Sequence, residues 1–564
     1  MAPPRRAPRA GVEIRMRTRA THAPCGRCAP PRRKPGQQLT RRPLRFLSSW
    51  NPPMWSDRLR RVPWDFVAIA MFAAVLRLLF LDLKAPHFDE GINGWFADQM
   101  RVDGTFKYRA DNFHGPWHFY TVFLSQSLLG RNVWALRLPV VAASLLCIPV
   151  IFLFARWLGR PAVRWAAAAY AVSPALVFYG RYSIHEPWFV LFTMLFTWGA
   201  IALWIDRDRA GLWAASIGLT GMILNKETYI IHAGSLALAG LVFKAWEKFS
   251  PVRPPATRAA KRGWSNRDAW TAAAVCCFAI VFFYSGNFFH WPGLLGPFQA
   301  ILEWTKTGAA GNGHEKVAYD LLPFVNYYWL ALLARYEWPA LAGFVWSVRY
   351  AWPGPAVPRL LAILGAGVLV AYSLVPYKTP WCIVSILWPW LLLFGVWISS
   401  LKRTRMAAAI GAALLVASLA AGIRLNFREY ENDAEPYVYV QTYRSVEALT
   451  GPLLALAQSD PQRALMAGSV YLESYYPLPW ILGDFPNVGY FPDGEIPDPL
   501  PKAEFHVVET GRADAVRDKL GTEFTGRTFR FRSGVKECSV FFSKDITDAL
   551  EQTGKAQAPR RSEP

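Results

Sequence analysis

The sequence predicts an all-α polytopic membrane bundle followed by a small soluble domain of mixed helix and strand, of α/β or α+β type. Two observations predict the bundle. Of 564 residues, 53% are hydrophobic and only 18% are charged, whereas a soluble domain carries about 25% charged residues. The apolar residues also fall in blocks of about 20, the helix length that crosses a bilayer. The third observation is a change near residue 424, beyond which short strand-like and helix-like runs replace the long apolar blocks. An aromatic content of 15% excludes disorder over most of the chain. Seven cysteines in 564 residues make no disulfide framework.

Residues 1–53 carry 13 basic residues against the single acid Glu13, more than half of the net charge of +22. A Pro/Arg-rich stretch of this kind builds no core. It reads as a solvated tail, or as sequence upstream of a start at Met54, with an anionic-lipid or nucleic-acid tail as the alternative. His22, Cys25 and Cys28 form one CxxC without a second pair, a weak metal signal. The first apolar block lacks a small-residue cleavage site, so no cleavable signal peptide is expected.

Apolar blocks follow at about 64–82, 134–156, 163–180, 187–205, 211–225, 228–246, 270–290, 322–347, 357–376, 381–399 and 406–424. The stretch 117–130 is short for a span and suits an interfacial helix. With it on the surface and the N-terminus inside, the loops with Arg156/Arg160/Arg164, Arg207/Arg209, Lys244–Arg267, Arg349/Arg359 and Lys402/Arg403/Arg405 all fall inside, as the positive-inside rule requires. Eleven spans result, in a bacterial-type inner cell membrane, with a cytoplasmic N-terminus and an extracytoplasmic C-terminal domain. The outer side then receives 83–133, 181–186, the turn at Lys226, 291–321, 377–380 and 425–564. The transmembrane domain is drawn at 54–424 and the soluble one at 425–545. The soluble domain has helices near 444–458 and 512–520 and strands at 466–472, 504–509 and 528–542, and 546–564 is a disordered tail.

The unusual polar residues gather on the outer segments. Asp89 and Glu90 are adjacent carboxylates at a membrane surface, suited to holding a metal or taking a proton from a nucleophile, or else Asp89 is the N-cap of a helix over 92–102. His114 precedes a Gly115–Pro116 turn. Arg181, Tyr182, His185 and Glu186 occupy one charged turn, Lys226 a second, and Tyr377 with Lys378 a third. Each basic residue alone could be a snorkelling anchor. Together on one face they read as a phosphate site close to the membrane. Arg335 and Glu337 fall inside the eighth block, where charges face the bundle interior. His314 sits in a Gly-rich outer loop, a candidate gate or a plain linker. Asp89, Glu90, His114 and His314 are candidate ligands for a divalent metal ion, although no cofactor is required by the sequence.

The order of these features resembles the C-type membrane glycosyltransferase superfamily, and within it the protein O-mannosyltransferases and the aminoarabinose lipid A transferase. It is most similar to the archaeal-type, glycosylation-associated family often labelled "flippase activity-associated". The resemblance rests on Phe88–Gly91, Phe113–Pro116, Tyr179–Pro187, Asn225–Lys226, Val375–Pro380, Pro436–Val440 and Tyr476–Trp480, and covers about 64–500. It implies transfer of a sugar from a polyprenyl-phosphate donor to a lipid, glycan or protein acceptor on the outer face, with inversion. By position, Asp89 would be the general base, Glu90 would assist or hold it, and Arg181, Lys226 and Lys378 would stabilise the departing phosphate. Glu186 stands where lipid A transferases have an acid beside a proline. His114 departs from their Glu-Lys pair, so Arg109 or Lys107 would substitute, and aminoarabinose chemistry is disfavoured. The implied partners are the donor, the acceptor and the bilayer, with no nucleic acid. The competing readings are a lipid-linked sugar flippase and a non-catalytic assembly subunit. No internal repeat of the kind transporters carry is visible.

Overall fold

The computed structural model describes residues 63–557 apart from 110, 111, 113, 250–262, 312, 323, 324 and 351–353. The basic extension, Met54 and the His22/Cys25/Cys28 group lie outside these residues.

The first part of the chain is helical. It contains α1 (Trp64–Leu78), α2 (Phe88–Asp103), α3 (Trp117–Leu129), α4 (Val133–Leu153), α5 (Arg160–Val172), α6 (Glu186–Asp206), α7 (Arg209–Asn225), α8 (Tyr229–Glu247) and α9 (Asn266–Tyr284). It continues with α10 (Gly296–Ala310), α11 (Tyr328–Tyr336), α12 (Trp338–Tyr350), α13 (Ala356–Leu374), α14 (Ile383–Ser400) and α15 (Thr404–Phe427). Each apolar block of the sequence falls on a helix, and the short stretch at 117–130 is the separate helix α3. Seven of the described helices are long and apolar enough to cross a membrane. The count of eleven spans is therefore not reproduced, and four blocks account for the difference. α1 has 15 residues and α7 has 17. The block 163–180 breaks at Ser173–Pro174, because Pro174 has no N–H to continue α5.

The block 322–347 breaks at Glu337, between α11 and α12. This places Arg335 and Glu337 at a junction rather than mid-helix. Glu337 is fully buried and accepts from Ser173 Oγ at 2.6 Å and Ala175 N–H at 2.8 Å. The carboxylate thus takes up the Ser173 hydroxyl and the Ala175 amide, a free N–H at the start of the short helix Pro174–Phe178 that follows the break, and one break answers the other. Arg335 reaches Glu435 at 3.2 Å. Both charges are structural.

Close helix contact is built on small residues. A Cβ at Gly199 of α6 would lie 2.2 Å from the Ala215 amide of α7, so these backbones touch only because glycine is there.

The C-terminal region is a five-stranded mixed sheet. Its strands are β1 (Gly468–Tyr471), β2 (Val488–Tyr490), β3 (Phe505–Glu509), β4 (Phe524–Phe529) and β5 (Cys538–Ser543), in the order β2-β1-β3-β5-β4. β1 runs parallel to β2 and β3, while β3–β5 and β5–β4 are antiparallel. β3 is buried along its whole length. Phe505 and Val507 face a core shared with Leu449 and Leu453 of α16 (Glu447–Ser459), and Val508 faces Val516 of α17 (Ala513–Leu520). Helices on both faces explain why the strand reads as continuously apolar rather than alternating. Three sequence expectations change here. The run 528–542 is two strands, β4 and β5, joined by a turn. The strand β2 was not foreseen. Residues 544–557, placed mainly in a disordered tail, form a helix, α18 (Lys544–Gln557).

The sheet region is fastened to the bundle through 435–441. Tyr179 Oη donates to the Tyr437 carbonyl at 3.1 Å, Gln441 Nε2 donates to the Ala85 carbonyl at 3.2 Å, and Arg424 pairs with Glu435 at 2.6 Å. A second junction presses α2 onto 476–480. A Cβ at Gly91 would sit 2.4 Å from Pro477 Cα. Gly91→Ala is expected to destabilise the protein by about 1–3 kcal/mol through overpacking, and an unchanged thermal unfolding midpoint would show that this segment yields.

Candidate active site

The start of α2 sets the site. His87 is its N-cap: the ring Nδ1 accepts from the Asp89 N–H at 3.1 Å, and Glu90 accepts from the His87 N–H at 2.8 Å. This reciprocal capping box satisfies two orphan donors of the helix. His87 Nε2 donates to the Tyr439 carbonyl at 2.8 Å, which fixes the tautomer. The cap is therefore His87, not Asp89, and the helix begins four residues earlier than expected. Relieved of capping, the Asp89 carboxylate accepts no hydrogen bond from any described residue and faces a cavity.

Glu90 points the other way. Its two oxygens meet Arg137 Nε at 2.7 Å and Nη2 at 2.6 Å, and Oε1 also accepts from the Ser183 N–H at 2.8 Å. Both side chains of this pair are within 1% of complete burial. Arg137 further donates to the Leu81 carbonyl at 2.6 Å and the Lys84 carbonyl at 3.1 Å. Burial raises the Glu90 carboxyl, but the Arg137 guanidinium outweighs it and holds the group below its ordinary value. Glu90 is a strut that fixes α2, 81–85 and the 183 turn; it does not reach the cavity.

The cavity has a volume of about 360 Å³ and is lined by Asp89, His114, Glu186, Lys226, His314 and Tyr377 among others. These six residues come from five separate outer segments of the expected topology. Lys226 Nζ is ion-paired with Glu186 Oε1, and both are buried. His114 Nδ1 pairs with Glu227 at 2.9 Å. His314 Nδ1 meets Tyr439 Oη at 2.7 Å and its ring packs on Tyr377 at 4.5 Å. Burial pulls the His314 imidazole down, aided by Lys316, while Asp89 acts in the opposite sense.

Five expected site residues lie elsewhere. Glu90 is one. Arg181 donates to the carbonyls of Leu76 at 2.9 Å, Leu79 at 2.7 Å and Phe80, and lies over the Phe427 ring. It answers the open carbonyls at the end of α1, a helix-capping role that takes it away from any phosphate. Tyr182 Oη bonds to Gln441. Lys378 donates to the Val375 carbonyl and borders a separate recess with Lys316, Asp320 and Asn326. Arg109 is exposed and outside the cavity lining.

The four candidate metal ligands are not gathered either. Glu90 is engaged by Arg137, His114 by Glu227, and His314 by Tyr439. Among the described residues no three His, Cys, Asp or Glu side chains come together as a ligand set. The residues present do not fit a resident metal at Asp89.

One lining residue carried no sequence signal. Arg532, from the turn between β4 and β5, reaches the cavity from the sheet region. It is 4% exposed and donates to the Tyr476 carbonyl at 3.1 Å and Ser474 Oγ at 2.6 Å. Its guanidinium lies 4.3 Å from the centre of the Phe88 ring. Burial pulls it down to about 10, with the Asp89 charge opposing. Among the described residues lining the cavity, Lys226 and Arg532 are the lysine and arginine cations. Nothing in the sequence distinguishes Arg532 from the other arginines of the tail.

Residues 113–254 match the dolichyl-phosphate-mannose-protein mannosyltransferase family. No curated protein sequence matches the chain. Among solved structures, the fold is similar to ArnT from Cupriavidus metallidurans in the apo state, at 16% identity and a TM-score of 0.54, covering 85% of this chain and 98% of that one. The same protein bound to undecaprenyl phosphate matches at 15% identity with the same TM-score of 0.54, also covering 85% of this chain and 98% of that one. The apo oligosaccharyltransferase from Archaeoglobus fulgidus matches at 12% identity and a TM-score of 0.50, covering 86% of this chain and 75% of that one.

Proposed function

We propose that this chain, a member by fold of the C-type membrane glycosyltransferase superfamily, moves a sugar from a polyprenyl-phosphate carrier to an acceptor with inversion at the anomeric carbon. The observation that carries the reading is Asp89: a carboxylate with no hydrogen-bond donor among the described residues, facing a cavity lined also by Lys226 and Arg532. A neighbour crystallised with undecaprenyl phosphate supports the carrier class.

The chemistry follows from charge. Asp89 takes the proton of an acceptor hydroxyl or amine as that atom bonds to the anomeric carbon. The bond from that carbon to the phosphate oxygen breaks, and the phosphate leaves with the electron pair. A phosphate is already a good leaving group, so neutralisation of its charge is the help it needs, and Lys226 and Arg532 supply it. Base and leaving group act on opposite faces of the sugar, which gives inversion. Enclosure between helices and sheet holds donor and acceptor together. The distribution of basic loops supports a reaction on the extracytoplasmic face of the inner membrane. The acceptor is a lipid, glycan or protein.

The test is transfer by the full chain in liposomes from a panel of radiolabelled polyprenyl-phosphate sugars to membrane lipids and proteins. Labelled product is expected. Label that crosses the bilayer without product would replace this reading by a flippase. Lys226→Met is expected to lower kcat/KM by roughly 10²–10³-fold, the cost of one missing stabiliser of developing charge. Because that change strands Glu186, the double variant with Glu186→Gln is measured beside it; recovery of full activity there would remove Lys226 from the phosphate role.

A further inference from the structure

One wall of the cavity is polar in a way that the transfer step leaves unused. Glu227, 4% exposed, follows the end of α7. Its Oε2 pairs with His114, and its Oε1 is buried with no hydrogen-bond partner among the described residues. His185, 2% exposed, packs its ring against that of His114 at 4.4 Å, and its Nε2 likewise has no partner among the described residues. Both side chains line the cavity.

This wall is built rigidly. The Gly115 N–H donates to the Asn225 carbonyl at 3.1 Å, and a Cβ at Gly115 would lie 2.3 Å from the Leu224 carbonyl oxygen. Glycine thus lets the His114 loop lie flat on the Glu227 turn. Asn225 Nδ2 donates to the His185 carbonyl at 2.8 Å, which ties the third segment in. Two buried polar atoms held in place without partners are a standing cost in the empty protein. A ligand that hydrogen-bonds to both removes it. The carbon face of a sugar ring also finds aromatic surface here, since Trp304, Tyr377 and Trp381 line the same cavity. A phosphate would be repelled by Glu227, and an isoprenoid chain would leave both atoms unsatisfied.

We propose that Glu227 and His185 bind the sugar ring of the donor through its hydroxyl groups and make the protein selective for a carrier that bears a hydroxylated sugar over the bare carrier. The inference rests on the transfer reading for the identity of the donor, but it is read by binding. Full-length protein in nanodiscs is titrated with a polyprenyl-phosphate hexose and with bare polyprenyl phosphate. Wild type is expected to prefer the hexose form by at least about tenfold, because a site built for hydroxyls rejects a ligand lacking them. Glu227→Gln and His185→Phe are each expected to reduce that preference, and His185→Phe is expected to do so while leaving affinity for the bare lipid unchanged. Single-deoxy hexose donors tested on wild type need no variant to fold, and removal of one particular hydroxyl is expected to erase most of the preference. A preference that survives both substitutions, survives every deoxygenation, or is absent in wild type overturns the inference. Absence of transfer with the preference intact would instead overturn the enzymatic reading alone.

Discussion

Asp89→Asn is expected to lower kcat/KM for sugar transfer by roughly 10²–10⁴-fold, the range for loss of a positioned general base. The substitution is isosteric, and an amide cannot take the acceptor proton. The fold is expected to survive it. What Asp89 gives to the helix start is its backbone N–H, donated to His87, and Asn keeps that group. The carboxylate itself accepts no hydrogen bond from any described residue, so none is lost. The measurement is initial-rate kinetics beside thermal unfolding of the same preparation. A variant as active as wild type would remove the base from Asp89. A variant equally inactive but with a much lower unfolding midpoint would point to a structural defect.

Removing either partner of the Glu90–Arg137 pair is expected to show the opposite pattern. Breaking a buried ion pair on one side strands a charge and costs about 3–5 kcal/mol. Here the stranded group would be Glu90, already facing only the His87 and Ser183 amides, or Arg137, left with backbone carbonyls alone. Arg137→Met is therefore expected to unfold first and to lose activity only in proportion to folded protein. The neutral double variant Glu90→Gln with Arg137→Met should recover part of the stability. Failure to recover any would show that the hydrogen bonds, rather than the charges, hold the loop. The pair also carries a pH signature. The folded carboxyl lies below its ordinary 4.5. The stabilisation is therefore fully present above that value and is lost as pH falls through the lower folded value. Unfolding midpoints of wild type measured downward from pH 7 should drop more steeply below about pH 4.5 than those of the double variant.

The sequence by itself determined the class of molecule and the segments that line one cavity. Blocks of apolar residues, the short stretch at 117–130 and the expected sidedness of basic loops singled out those segments. Asp89, His114, Glu186, Lys226, His314 and Tyr377 were legible because polar residues at the ends of apolar helices stand out against their surroundings. The roles were less legible. Arg181 has the residue type of a phosphate clamp and Glu90 that of a helper to the base, yet Arg181 is consumed by backbone carbonyls and Glu90 by Arg137 and two backbone amides. A charge buried beside a helix end serves those groups before it serves a ligand. The apolar runs gave no sign of the breaks at Ser173–Pro174 and Glu337, because hydropathy does not register a broken hydrogen-bond ladder that a neighbour repairs. Only the tertiary structure decided that His87 caps α2 and so leaves Asp89 without a hydrogen-bond donor among the described residues. It alone brought Arg532 across from the sheet region to the cavity, and it alone left Glu227 and His185 with atoms that have no partner among the described residues. The reason is physical: periodicity and composition report how each segment meets solvent or lipid, whereas the partner of a buried polar group is fixed by contacts tens to hundreds of residues apart in the chain.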